Sequence, residues 1–238
     1  MKLITNSSHG NGIYTFINEN DKLIIKSSLT KEGIFSLKRE LLGYKWYFNL
    51  ENNINSKLFI YKVLSKQKYY RFSVSLFEGE TGNSSLSLSD NYLLILKAIE
   101  HYVSIWPTKK DVLVPLHGDY SVGNIIYSKE NIVIIDWEHF SINSAPWGFD
   151  LVNMLYESVF ISLSQKNKLS NSDKKYFLLL RIKISDLLKD VPNFKCSLED
   201  LNDFMSKNEK IWGKVITKFP VLKFTSHQKR YIEEIENS

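Results

Sequence analysis

The chain has 238 residues, 43% of them hydrophobic and 13% aromatic, which is enough to bury a substantial core as one large domain or as two lobes sharing a cleft. Its 31 basic and 26 acidic residues are scattered and form no dense basic block, so the net charge of +5 does not by itself indicate a nucleic-acid binder. The single cysteine, Cys196, excludes an intrachain disulfide and has no His or second Cys at metal-ligand spacing; Met1 begins a polar stretch, and no apolar run approaches a membrane span, so the expectation is a cytoplasmic protein.

The first part reads as short strands. "KLIT" (2–5), "IYTFI" (13–17) and "KLIIKSS" (22–28) are rich in β-branched and aromatic residues and are separated by the turn chemistry of "SSHGNG" and "NENDK", which predicts a three-stranded meander. From Lys31 to Asn49, Phe35, Leu37, Leu41, Leu42, Tyr44 and Trp46 recur among Lys, Arg and Glu, the pattern of an amphipathic helix despite Gly33 and Gly43. Strand-like runs follow at 57–64 and 69–77, and "EGETGNSS" (78–85) then breaks the pattern as a linker. Helical periodicity dominates afterwards: 89–106, stopped by Pro107; the runs "WGFDLVNMLYESVFISLS" and "SDKKYFLLLRIKISDLLKD"; and a last helix at 197–219. Between them, "NIIYS" and "NIVIIDW" predict a β-hairpin about "KEN". The expected fold is α+β, with a β-rich lobe at 1–77, a connecting segment at 78–85 and a mainly helical lobe at 86–238.

The chemistry concentrates in "LHGDYSVGNIIYSKENIVIIDWEHF" (116–140), where Asp119 and Asp136 sit in an otherwise apolar setting. An Asp there needs a hydrogen bond, an ion partner or a metal. If the two strands pair antiparallel, Asn124 at the start of the first and Asp136 at the end of the second face one pocket with Asp119 nearby. Hard oxygen donors converging in this way suit Mg²⁺, which takes one or two protein groups and completes its shell with substrate phosphates. The plainer reading is a polar turn and a hairpin whose acids cap nearby backbone. Each residue alone fits it; all four of His117, Asp119, Asn124 and Asp136 at these spacings fit it poorly.

"HGDYSVGN" (117–124) and "IDWE" (135–138) resemble the catalytic loop and metal motif of the aminoglycoside phosphotransferase and choline kinase-like families of the eukaryotic-like kinase superfamily. Gly118 in place of Arg, and Trp137-Glu138 after the Asp, favour a small-molecule kinase over a protein kinase, and no A-P-E-type segment follows. The resemblance implies a two-lobed protein-kinase-like fold using ATP and Mg²⁺, with Asp119 orienting the acceptor hydroxyl and Asn124 and Asp136 as metal ligands. It further implies that Lys26 binds phosphates and pairs with a helix acid, for which Glu40 is the best match and Glu32 the competitor. His117 is expected to bond loop backbone, and Asp150 either to hydrogen-bond the catalytic loop or to be an ordinary first-turn acid. Gly10 and Gly12 are only a fragment of a phosphate-covering loop, and a hairpin turn favours the same residues. Phe77, Glu78 and Gly79 occupy the segment whose backbone holds adenine in the family.

The acceptor implied is a small molecule with a hydroxyl, a sugar, an amino alcohol such as choline or an aminoglycoside, and a chain of this length with little inserted between its helices favours the first two over a bulky antibiotic. Trp147, Tyr156, Glu157, Glu209 and Trp212 are candidates to hold it, or else packing aromatics and solvated acids. Glu138 and His139 are placed to touch the acceptor, or else are solvated loop residues. His101 reads as an ordinary helix histidine. A nucleotide-binding pseudokinase acting as a regulatory module is the alternative, favoured by the poor glycine loop and disfavoured by the full set of catalytic residue types. No nucleic-acid partner is expected.

Overall fold

The computed structural model describes residues 2–6, 12–50, 60–66, 68–83, 87–106, 113–128, 131–161 and 170–188, with Arg230 and Glu233. The expected meander is present as β1 (Lys2–Asn6), β2 (Ile13–Asn18) and β3 (Leu23–Ser28). With β4 (Tyr61–Lys66) and β5 (Tyr69–Ser75) it forms an antiparallel sheet in the order β1-β2-β3-β5-β4. The register sets Thr15 opposite Lys26 and Lys26 opposite Phe72, so these three side chains share one face of the sheet.

Helix α1 (Lys31–Phe48) covers that face. It starts at Thr30, whose hydroxyl accepts the Gly33 N–H, with Glu32 in the first turn. Leu37, Leu41, Tyr44, Tyr47 and Phe48 recur at helical spacing and are buried, and Tyr44 packs edge-on against Phe72 at 6.5 Å between ring centres. Phe35 and Leu42, grouped by their apolar character with that stripe, are instead 64% and 54% exposed, because they lie seven residues apart on the opposite side of the helix. Gly43, read as a weak point of the helix, is buried where a side chain would collide with Trp137.

Part of the connecting segment pairs with the hairpin. Glu80–Thr81 form β6, which pairs with β8 (Ile125–Tyr127), and the Gly82 N–H donates to the Val122 carbonyl. Helix α2 (Leu88–Ile105) follows, capped by Ser87. The predicted hairpin is β8 and β9 (Ile132–Ile134), with Ile125 opposite Ile134. A second small sheet that periodicity does not reveal pairs β7 (Val114–Leu116) with β10 (Ser141–Ala145), and these short strands flank the motif-bearing stretch. The run after Trp147 is not one uniform helix: α3 (Phe149–Leu155) passes into a π-helical turn (Tyr156–Ile161). Helix α4 (Asn171–Leu188) packs on α2, where Tyr92 and Tyr176 meet at 5.1 Å. The fold is thus α+β, an antiparallel sheet with one helix followed by a mainly helical part. Gly10, Cys196, Glu209, Trp212 and the predicted last helix lie outside the described residues. No helix among the described residues is long and apolar enough to cross a membrane.

Beneath the hairpin lies an aromatic core. Trp106 and Trp137 stack at 6.1 Å, Tyr102 stacks on Trp106 at 4.4 Å, and Trp46 of α1 meets both tryptophans. The core therefore continues from the sheet helix into the helical part. Removing the Thr30 cap by Thr30→Ala is expected to cost about 1 kcal/mol of unfolding free energy in a urea titration, with α1 otherwise intact.

Candidate functional site

Strand β3, helix α1 and the end of the hairpin each deliver one charged group to a single point. The Lys26 ammonium lies 2.6 Å from Glu40 Oε1 and 3.0 Å from Asp136 Oδ1. Glu40 is 1% exposed, Lys26 17% and Asp136 39%, so the cluster runs from the core to the surface of the site. Burial works to lower the Lys26 pKa, but the two carboxylates outweigh it and raise it well above the ordinary lysine value. Burial pushes Glu40 up to about 7, with Lys26 opposing. At Asp136 burial is overcome by Lys26, which holds the carboxyl below its usual range. Glu40, not Glu32, is the acid that meets Lys26.

The loop 117–124 is held from two sides. Asp150, in the first turn of α3 and 1% exposed, accepts the N–H groups of His117 and Gly118 through separate oxygens at 2.8 and 2.9 Å. Gly118 has φ +88, a left-handed conformation that glycine adopts without strain. Burial pushes Asp150 up to about 7, against those two hydrogen bonds. His117 is fully buried; its Nε2 lies 2.9 Å from the Ile135 carbonyl and its Nδ1 accepts the Asp119 N–H at 3.2 Å, the pattern of a neutral imidazole protonated on Nε2. Burial lowers its pKa accordingly. The histidine thus ties the loop to the strand end that carries Asp136.

Asn124 closes the loop. Its Nδ2 donates to Asp119 Oδ2 and to the Asp119 carbonyl, each at 2.8 Å, and its own carbonyl accepts the Ile135 N–H at 2.9 Å. That last bond sets Asn124 beside residue 135 and hence next to Asp136. Asp136 itself has φ +60, one of two positive-φ non-glycine residues among those described, so its backbone leaves the ladder there. The hydrogen bonds of Asn124 leave its Oδ1 available, and Lys26 engages only Oδ1 of Asp136, so each residue keeps a hard oxygen donor. That donor chemistry fits Mg²⁺ completed by phosphate oxygens. A cage of three or more His, Cys, Asp or Glu is absent among the described residues.

Along the connecting segment, Phe77 stacks on Phe48 at 5.5 Å, and at Gly79 a Cβ would lie 2.5 Å from the Tyr127 carbonyl oxygen, so only glycine lets the chain run this close to β8. A cavity of about 400 Å³ opens here, lined by Leu23, Ile60, Phe77, Ile126 and Val133, with Lys22 and Glu78 joined at 2.9 Å among its polar lining. Gly12 has φ +64 and abuts Thr30.

Two site residues escaped the sequence reading. The Tyr44 hydroxyl accepts the Asp136 N–H at 3.3 Å, and the Arg39 side chain donates to the Glu138 carbonyl. Nothing in the sequence marked them, because their partners are backbone groups of Asp136 and Glu138. Glu138 pairs with His139 at 3.4 Å. Trp147 is a packing residue, its Nε1 donating to the Trp106 carbonyl at 3.3 Å and its ring meeting Tyr102. His101 bonds the Tyr47 hydroxyl at 2.8 Å, and burial lowers its pKa to about 4. Glu157, in the π-helical turn, is pushed up to about 7, first by burial and then by the charge of Asp119.

No family model matches the chain, and no curated protein matches it. Among solved structures, an amicoumacin kinase in complex with AMP-PNP, Ca²⁺ and Ami is similar at TM-score 0.49 and 12% identity, the match covering 99% of this chain and 88% of that one.

A carboxyl whose folded pKa is raised favours its neutral form in the folded state, so the stability it contributes is full below its unfolded pKa and is lost as pH rises through the folded value. For Glu157 that window runs from the ordinary value of 4.5 to about 7. Glu157→Gln is expected to reduce the fall in thermal midpoint between pH 5 and pH 8 relative to the parent, read by differential scanning calorimetry.

Proposed function

We propose that the protein is an ATP- and Mg²⁺-dependent phosphotransferase acting on a hydroxyl of a small molecule, a sugar or an amino alcohol of the choline type. The observation that carries the reading is the Lys26 ammonium bridging Glu40 and Asp136 within 3.0 Å, alongside an Asp119 bonded to Asn124. Phosphoryl transfer asks a protein mainly for alignment and charge neutralisation, and these residues offer both. The motifs 117–124 and 135–138 support the same class.

In this reading Asp136 and Asn124 would hold Mg²⁺, which would supply neutralisation of the nucleotide's phosphate charge. An ammonium has three donors; Lys26 spends two on Glu40 and Asp136 and gives the third to a phosphate oxygen. Asp119 accepts a hydrogen bond from the acceptor hydroxyl, orients it towards the γ-phosphorus and takes its proton as the new oxygen–phosphorus bond forms and the bond from the γ-phosphorus to the bridging oxygen breaks, with ADP as the leaving group. Asn124 keeps the Asp119 carboxylate aimed. His117 and Asp150 hold the loop and contact no reactant.

The nucleobase is assigned to the cavity beside Phe77–Gly79. Ile126, two residues beyond Asn124 on β8, lines this cavity, which supports placing the base there with its phosphates towards Asn124. Glu157, half-buried and raised in part by the charge of Asp119, would be relieved by a cationic group on the acceptor, and this favours the amino alcohol.

Asp119→Asn is expected to lower transfer by at least about 10²-fold, the scale of a lost acid–base group, with Mg-nucleotide affinity near the parent's. Asp136→Ala is expected to lose metal-dependent nucleotide binding. Calorimetric titration with Mg-ATP, together with turnover against a panel of sugars and amino alcohols, measures both. Equal loss of binding in the two variants would refute the assigned roles. Intact Mg-ATP binding with no turnover on any acceptor would instead support a regulatory nucleotide-binding module.

A further inference from the structure

Asp136 is held at both ends by groups that belong to or depend on α1. Its carboxylate meets Lys26, which Glu40 of α1 fixes. Its backbone N–H, turned out of the β ladder by the left-handed φ of +60, donates to the Tyr44 hydroxyl at 3.3 Å. Tyr44 follows Glu40 by one helical turn, so both project from one face. The next residue continues the contact: a Cβ on Gly43 would sit 2.5 Å from the Trp137 Cβ, so the helix backbone approaches the loop as closely as atoms allow. Arg39 then takes the carbonyl of Glu138. Residues 39, 40, 43 and 44 thus form one stripe fastened along 136–138.

A tyrosine used only for packing would not need its oxygen. The Tyr44 ring already packs against Phe48 at 6.4 Å and Phe72 at 6.5 Å, and the phenol is 3% exposed. An N–H on a left-handed residue has no strand partner, and a buried donor without one is costly. The hydroxyl meets that need at the residue whose carboxylate must be aimed. We propose that Tyr44 is a positioning residue that holds the metal-binding carboxylate of Asp136 through its backbone, with Gly43 admitting the close approach that makes the hydrogen bond possible. The inference rests on the phosphotransferase reading for the purpose of the carboxylate, but not for the clasp itself.

Tyr44→Phe removes one oxygen and keeps the ring. Amide hydrogen exchange at Asp136 in the metal-free protein is expected to accelerate at least tenfold, while the thermal midpoint changes little. In a Mn²⁺ titration with AMP-PNP followed by Mn²⁺ relaxation, the midpoint is expected to rise about fivefold with nucleotide affinity in the absence of metal unchanged. Gly43→Ala, which drives the loop away with the hydroxyl intact, is expected to give the same two changes. Unaltered Asp136 exchange in both variants would overturn the proposal. Faster exchange together with an absence of any metal-dependent nucleotide binding in the parent would keep the clasp and overturn the phosphotransferase reading instead.

Discussion

The ion cluster at Lys26 is the constraint on which the rest of the site depends. A buried ammonium between two carboxylates is not a gift to stability, since desolvation consumes most of the Coulombic gain and an apolar replacement is often as stable. Deleting one member is another matter, because it strands charge in the core at a cost of about 3–5 kcal/mol. The cluster is therefore best understood as a spatial fix. It ties a strand, a helix and a loop separated by 110 residues in sequence to one point, and the oxygen donors of Asp136 take their position from it.

Around that point the backbone supplies the remaining order. The hairpin ladder sets Asn124 beside Ile135, His117 reads the Ile135 carbonyl, and Asp150 clamps the loop start through two N–H groups. Each of these polar groups is buried yet paired, as interior polar groups must be. The tryptophans beneath give the loop a stiff floor: Trp137 is 0% exposed, and its indole N–H is spent on the Ile134 carbonyl. Precision in the oxygen atoms above follows from close packing below.

Much of this was legible in the chain. The period-two strands, the helices and the hairpin announced themselves because local periodicity and burial agree there. Lys26 and Glu40 were legible by position within their elements, and the loop residues by their spacing. Strands β7 and β10 were not, because three- to five-residue segments carry too little periodicity and gain their pairing from tertiary contact. The π-helical turn was hidden for a related reason: an added residue in a helix leaves the apolar pattern nearly unchanged. Phe35 and Leu42 misled because apolar character is a one-way guide, and exposed apolar side chains are common. Tyr44 and Gly43 were invisible as site residues, since only the left-handed backbone at Asp136 and the approach of Trp137 give them meaning.

The pair Lys22–Glu78 has a consequence of its own. Both side chains are about 70% exposed and yet line the same cavity, joining the β2–β3 turn to the connecting segment by a contact made in water. Such a clip is weak, and dissolved ions thin it further over a Debye length of about 8 Å at physiological strength. One wall of the cavity is thereby tied more loosely as the medium grows saltier, whereas the largely buried pair of Lys26 and Glu40 is screened much less.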